Sequence, residues 1–149
     1  MDNQQLPQDF NEFLKLLNSH RVEYLLIGGY AVGYYGYARA TGNMDVWIAR
    51  TDSNADRIIA AIEEFGFERS SIDRNLFLAE HQVTRMGIKP MRIEILTSIS
   101  GVSFDDCYPH REIAVIDGVE VSLISLAHLK INKKASGRLK DLSDLENLP

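Results

Sequence analysis

The chain has 149 residues, 45% hydrophobic and 25% charged, with a formal net charge of −5. That length suits one domain, 1–149, around one core. The acidic balance argues against sequence-independent binding to a long DNA duplex, and no apolar run is long enough to span a bilayer.

The polar, acidic start MDNQQLPQDF has neither the basic head nor the apolar middle of a signal peptide. The expected compartment is therefore the cytoplasm, with no membrane contact. A helix is expected after Pro7, with Asp9 as its cap, Glu12 three residues later as in a capping box, and an apolar face of Phe10, Phe13, Leu14, Leu16 and Leu17. VEYLLIGG is then a short strand, apolar enough to be buried on both faces. It ends at Gly28-Gly29. Tyr30 to Tyr37 is expected to be a short helix despite its internal glycines, and its tyrosines read as packing residues. Met44 to Ala49 is the next strand. Asp52 or Ser53 is expected to cap an amphipathic helix from Ala55 to Phe65, closed by Gly66.

The stretch from Phe67 to Gly87 admits a strand near Leu76 to Ala79 or a short helix. Met91 to Leu96 alternates as a strand, with Met91, Ile93 and Ile95 on one side and Arg92, Glu94 and Leu96 on the other. FDDCY holds the single cysteine, Cys107, beside two acids, which marks it as a packed or half-exposed thiol. EIAVIDGVEVSLIS reads as a hairpin turning at Asp117-Gly118. Ser125 caps a helix from Leu126 to about Lys134, Gly137 breaks it, and Arg138 to Leu148 forms the last helix. The order predicts an α+β domain with a mixed, twisted sheet flanked by helices.

Three places could carry chemistry. The Gly28-Gly29 turn lets a backbone approach a ligand closely, although a two-glycine strand exit is more often just a tight turn. Asn43 and Asp45 stand at i and i+2 of one strand, and Glu94 lies on another. That grouping is how a fold presents oxygen ligands to Mg²⁺, and the plainer reading is solvated strand-end acids. The tail KINKKASGRLKDLSD gathers Lys130, Lys133, Lys134, Arg138, Lys140, Asp141 and Asp144 around a helix junction. There a cation could grip triphosphate while an aspartate orients it. A solvated helical face is the alternative. The histidines 20, 81, 110 and 128 are scattered and read as surface or turn residues.

Together, YLLIGGYAVGYYGYARATGNMDVWIA, RIEILTSISGVSF and the KINKKASGRLKDLSDLENL tail resemble the nucleotidyltransferase superfamily, the polymerase-beta-like fold. The closer resemblance is to small stand-alone bacterial members related to abortive-infection-type nucleotidyltransferase toxins. Those carry G-G-x-A-v, R-x-T-x-D-x-D, an acid in an I-D-x-L strand, and K-x-x-x-x-R-x-K-D-x-x-D-x-x-x-L. The matches here are Gly28, Gly29 and Ala31, then Arg39, Thr41 and Asp45, then Glu94, and finally Lys133, Arg138, Lys140, Asp141, Asp144 and Leu148. Two positions depart: Asn43 replaces the first aspartate of D-x-D, and Glu94 replaces the third.

The resemblance implies a Mg²⁺-dependent transfer of a nucleoside monophosphate from an NTP to a hydroxyl of a protein or RNA acceptor, with a cognate antitoxin as a further partner. It implies Asn43, Asp45 and Glu94 as metal ligands and catalytic groups, with Glu94 also a general base. Gly28, Gly29, Arg39, Thr41, Lys133, Arg138 and Asp141 would bind the nucleotide, Asp141 by orienting Lys133. The amide at Asn43 also supports a rival: a catalytically inactive module of the same fold that binds nucleotide or a partner protein. A third reading treats KKASGRLK as an RNA- or DNA-contacting helix junction.

Overall fold

A computed structural model describes residues 6–37 and 41–149. Helix α1 (Gln8–Ser19) leads into strand β1 (Tyr24–Ile27), helix α2 (Gly28–Tyr34), strand β2 (Asn43–Ile48) and helix α3 (Asp52–Phe65). Strands β3 (Val83–Met86) and β4 (Arg92–Leu96) follow, then the single turn α4 (Phe104–Cys107), the hairpin β5 (Glu112–Ile116) and β6 (Val119–Leu123), and helices α5 (Leu126–Ser136) and α6 (Leu139–Asn147).

The strands form one sheet in the order β3-β4-β2-β1-β6-β5. The pairs β2–β4 and β1–β6 are parallel, and β1–β2, β3–β4 and β5–β6 are antiparallel. The sheet is thus mixed, as the element order predicts. Its centre is β1 and β2, and all four residues of β1 are buried, as its unbroken apolar run requires. On one sheet face Met44, Val46, Ile93 and Ile95 join the core with the apolar sides of α1 and α3. The other face carries Asn43, Asp45 and Trp47 from β2 beside Arg92, Glu94 and Leu96 from β4, in register. Polar side chains concentrate toward the start of β2, and that end of the face holds the candidate site.

Several local expectations change. No Asp9 cap or Asp9–Glu12 capping box forms: Pro7 occupies the cap position without a side-chain bond. Proline's fixed φ is enough to start the helix. The cap of α3 is Thr51, whose hydroxyl accepts from the Asn54 amide, so the helix begins at Asp52 and neither Asp52 nor Ser53 caps it. Helix α2 takes in both glycines and stops at Tyr34. The long ambiguous stretch contains a 3-10 turn at Arg74–Phe77, and its strand comes later, at Val83–Met86, paired with β4. Met91 lies outside β4 and is 39% exposed. Asp117 and Gly118 both take positive φ, 50° and 79°, as a tight hairpin of this twist demands. Ser125 accepts from the His128 amide at the start of α5, and Gly137 ends that helix in the left-handed region at φ 67°. Cys107 is fully buried. Burial, reinforced by Asp106, pushes its thiol up to about 11, so it is inert.

Candidate functional site

The register of the central strands builds the site. Ile27 at the end of β1 pairs with Asp45, and Asp45 pairs in parallel with Glu94. The chain then turns at Gly28 with φ 69°. The Asp45 carboxylate packs directly against that glycine, where any Cβ would collide with Oδ2. Gly29 is as tight, since a Cβ there would come within 2.7 Å of the Thr41 side chain. Thr41 in turn donates its hydroxyl to the Asn43 carbonyl at 3.0 Å. The glycines are therefore demanded by what approaches them, beyond the needs of the turn.

Across from this floor stand α5 and α6. Lys133 is 4% exposed, and its ammonium lies 3.3 Å from Asp141 Oδ1 and 3.0 Å from Asp144 Oδ2, both aspartates being buried. Asp141 also accepts from the Arg138 backbone amide and from Arg138 Nε at 2.7 Å, which fixes the start of α6. Burial alone would raise the Asp141 carboxyl, but the hydrogen bonds and charges of Arg138 and Lys133 outweigh it and hold the carboxyl low. Asn132 donates to the Ser100 carbonyl at 3.0 Å and ties α5 to the loop after β4.

Between floor and wall lies a cleft of about 220 Å³. Gly28, Gly29, Thr41, Asn43, Asp45, Lys133, Arg138 and Asp141 all line it. Glu94 stands beside Asp45 on the neighbouring strand. Arg39 lies outside the described residues. Lys140 and Ser98 also line the cleft. Lys140 matches the tail motif and stands in its basic run, with no site role assigned to it from the sequence, and Ser98 carries no sequence signal.

The sheet floor is electrostatically uneasy. Burial first, and then the neighbouring Glu94 charge, push Asp45 up to about 6, against the lowering influence of Asn43, Lys140 and Lys133. The Asn43 amide donates to Asp45 Oδ1. Two arginines converge on one oxygen of Glu94: Arg85 Nε at 3.1 Å and Arg92 at 2.9 Å. The alternation of RIEIL already puts Arg92 and Glu94 on one side of β4, so that contact had a sequence signal. Arg85 had none, because its strand was not located.

Among the described residues no group of three or more His, Cys, Asp or Glu side chains could hold a metal ion. The oxygen donors that line the cleft are Asp45 and the Asn43 amide, with Glu94 beside Asp45 on the neighbouring strand. That set suits a single hard cation, which would relieve the repulsion between Asp45 and Glu94. With no charge at position 43 it lacks the second carboxylate that a bridged pair of cations uses.

No protein-family model matches the sequence, and none of the curated proteins matches it. A solved structure does match. A proposed nucleotidyltransferase of Thermotoga maritima, known from its crystal structure, superposes with a TM-score of 0.65, covering 97% of this chain and 94% of that one at 13% sequence identity. This chain has the nucleotidyltransferase fold. At that identity the likeness concerns the fold alone. Among the described residues, no helix of the nucleotidyltransferase-fold chain is long and apolar enough to cross a membrane.

Proposed function

We propose that the chain binds a nucleoside triphosphate in this cleft and transfers its nucleoside monophosphate to an acceptor hydroxyl, slowly because of Asn43. One observation carries the reading. The fold brings the Gly28-Gly29 backbone, the Asp45 carboxylate and the Lys133–Arg138–Asp141 cluster from distant parts of the sequence to one cleft. Lys140 and Arg138 offer positive charge to the phosphates, and the glycines let the backbone approach them. Lys133 is paired with Asp141 and Asp144 and holds the helical wall of the cleft in place.

Asp45, the Asn43 amide oxygen and Glu94 would hold Mg²⁺, which supplies charge neutralisation on the transferred phosphate. In the transfer, the acceptor oxygen bonds to the α-phosphorus as the bond to the β-phosphate oxygen breaks. Pyrophosphate leaves with that electron pair. The hydroxyl proton passes to Glu94 Oε1, which has no partner among the described residues, while Arg85 and Arg92 anchor Oε2.

The second reading is nucleotide binding without transfer. It is favoured by the uncharged Asn43 bonded to Asp45 and by the two guanidiniums already on Glu94. Incubating the protein, its Asn43→Asp variant and an Asp45→Ala control with α-labelled NTPs, Mg²⁺ and a cell extract separates the two. Labelling by the native chain, increased by Asn43→Asp and abolished by Asp45→Ala, supports transfer. NTP binding by calorimetry with no labelling by either active-site form leaves the binding module.

A further inference from the structure

The two edges of the sheet differ. Strand β3 carries Arg85, and a charge on an edge strand discourages pairing with another chain. Strand β5, at the opposite edge, has no such device in its middle, which is Ile113-Ala114-Val115. Ile113 is 53% exposed and Val115 60%.

The hairpin shows where the free backbone groups of β5 lie. Its two-residue turn closes on the pair Ile116–Val119, so Ile116, Ala114 and Glu112 exchange hydrogen bonds with β6. Ile113 and Val115 aim their N–H and C=O groups outward, where no strand pairs with them among the described residues. By the same alternation Arg111, Ile113, Val115 and Asp117 share one face. Arg111 stacks at 4.0 Å on the Tyr108 ring and donates to the Tyr108 carbonyl at 3.0 Å, with no carboxylate partner among the described residues. The Asp117 carboxylate accepts from the Leu6 amide at 3.3 Å and pairs with no cation among those residues.

Along that face the edge reads basic, β-branched, β-branched, acidic. Such a row is complementary to itself when run antiparallel. With Ala114 on a twofold axis, Ile113 of one copy meets Val115 of the second, and Arg111 meets Asp117. The outward N–H and C=O groups of Ile113 and Val115 then fall opposite each other. A parallel run would set Arg111 on Arg111 and Asp117 on Asp117. An antiparallel run shifted by two residues would take Arg111 away from Asp117. The charges therefore select one partner and one register.

We infer that β5 pairs antiparallel with β5 of a second copy about a twofold axis through Ala114, which joins the two six-stranded sheets into one. The axis stands perpendicular to the sheet, so both clefts open on the same side. Asp45 lies on β2, three strands from β5, and the cleft takes no part in the contact.

The contact is short and its association weak, so sedimentation equilibrium of the full chain should run from about 10 µM to about 1 mM. The 16.8 kDa chain should approach twice its mass as concentration rises, and Asp45→Ala should do the same. Ile113→Lys should weaken association at least about tenfold. Arg111→Glu, which sets a like charge opposite Asp117, should weaken it about tenfold. Adding Asp117→Asn to Arg111→Glu removes that repulsion and should recover at least about threefold, while Asn suits the positive-φ turn position. Melting curves check that these variants fold. The register has its own test. Oxidising a mixture of the Ile113→Cys and Val115→Cys proteins should link one to the other faster than either links to itself, because only the mixed pair stands directly opposite. A chain that stays monomeric throughout, Ile113→Lys associating like the native chain, no recovery by Asp117→Asn, or self-linking as fast as cross-linking overturns the inference.

Discussion

On the helical wall of the cleft, the Lys133 ammonium has Asp144 at 3.0 Å and Asp141 at 3.3 Å, and Asp141 has Arg138 as well. On the sheet floor, a few side chains away, Asp45 faces Glu94 with only an amide on its other side, and burial with that neighbour pushes it up to about 6. Both clusters are largely withdrawn from water, yet the wall is compensated throughout, while on the floor Arg85 and Arg92 pair with Glu94 and leave Asp45 without an ion pair. Charges balanced in place belong to the fold. Charges left in conflict on a rigid strand pair cost stability, and a site that binds a cation or a proton donor is where such a cost persists. If the comparison is right, mutations on the two sides should move stability in opposite directions.

The largest effect is expected on the wall. Lys133→Met keeps most of the volume but leaves Asp144 buried without its ammonium, and Asp141 with Arg138 alone. Removing one partner of a buried ion pair costs about 3–5 kcal/mol. A urea midpoint shift of that size, with an unchanged slope, would measure it. A loss below about 1 kcal/mol would mean that Lys133 is solvated in solution, and the contrast between wall and floor would collapse.

On the floor the sign reverses. Asp45 takes up its proton at about 6 in the folded chain, against an ordinary 3.8. The folded state therefore holds the proton more tightly, and folding gains stability as pH falls through that window. Above pH 6 the ionised Asp45 costs up to about 3 kcal/mol. Asp45→Asn should accordingly stabilise the metal-free protein by about 1–3 kcal/mol at pH 7.5. That advantage should shrink below pH 6 and vanish near pH 4. Denaturant titrations in EDTA at several pH values give the curve. Destabilisation at pH 7.5 would show that Asp45 is compensated after all.

The difference between the two sides also explains what the sequence reveals. The glycine pair, Asp45, Lys133 and Asp141 stand out because each is an unusual residue for its element: glycines starting a helix, an acid in an apolar strand, a lysine followed by aspartates at helical spacing. The mixed sheet is legible for a similar reason, since each strand but one is an apolar run between turn residues. Strand β3 is missed because VTRM is largely exposed and owes its existence to pairing with β4, a tertiary cause with no local trace. Arg85 is missed with it. The Lys133–Asp144 contact requires the angle between α5 and α6, set by Gly137 at φ 67°. A spacing rule gives that each side chain shares a face of its own helix, not that the two faces meet. The Asp9 and Ser53 caps fail for a simpler reason: a neighbouring residue, Pro7 or Thr51, starts the helix earlier.

Asn43→Asp tests the floor from the other direction. A second carboxylate beside Asp45 adds repulsion in the absence of cations, so the melting temperature in EDTA should drop by about 2–4 °C, the shift for about 1 kcal/mol in a chain of this size. Millimolar Mg²⁺ should restore it and should do less for the native chain, because anything that binds only the folded state stabilises by mass action. Equal Mg²⁺ responses in the two proteins would mean that position 43 does not face the cation.

The smallest stability effect, and the most discriminating one, belongs to Lys140. It lines the cleft near Lys133 but has no ion pair among the described residues, and its charge is felt at Asp45. Lys133 and Lys140 thus separate two roles that the basic tail runs together. Lys133 is spent on the fold, while Lys140 remains for an anion. Lys140→Ala should change stability by no more than about 0.5 kcal/mol, as for other surface positions without partners. It should weaken NTP binding by about tenfold, the effect of losing one phosphate contact worth about 1.4 kcal/mol. It should also steepen nothing with salt: the native chain's affinity should fall faster as ionic strength rises, because it has one more exposed charge to screen. If Lys140→Ala instead unfolds the protein while NTP binding per folded molecule holds, Lys140 belongs with Lys133 to the structural wall, and the cation that meets the nucleotide is Arg138.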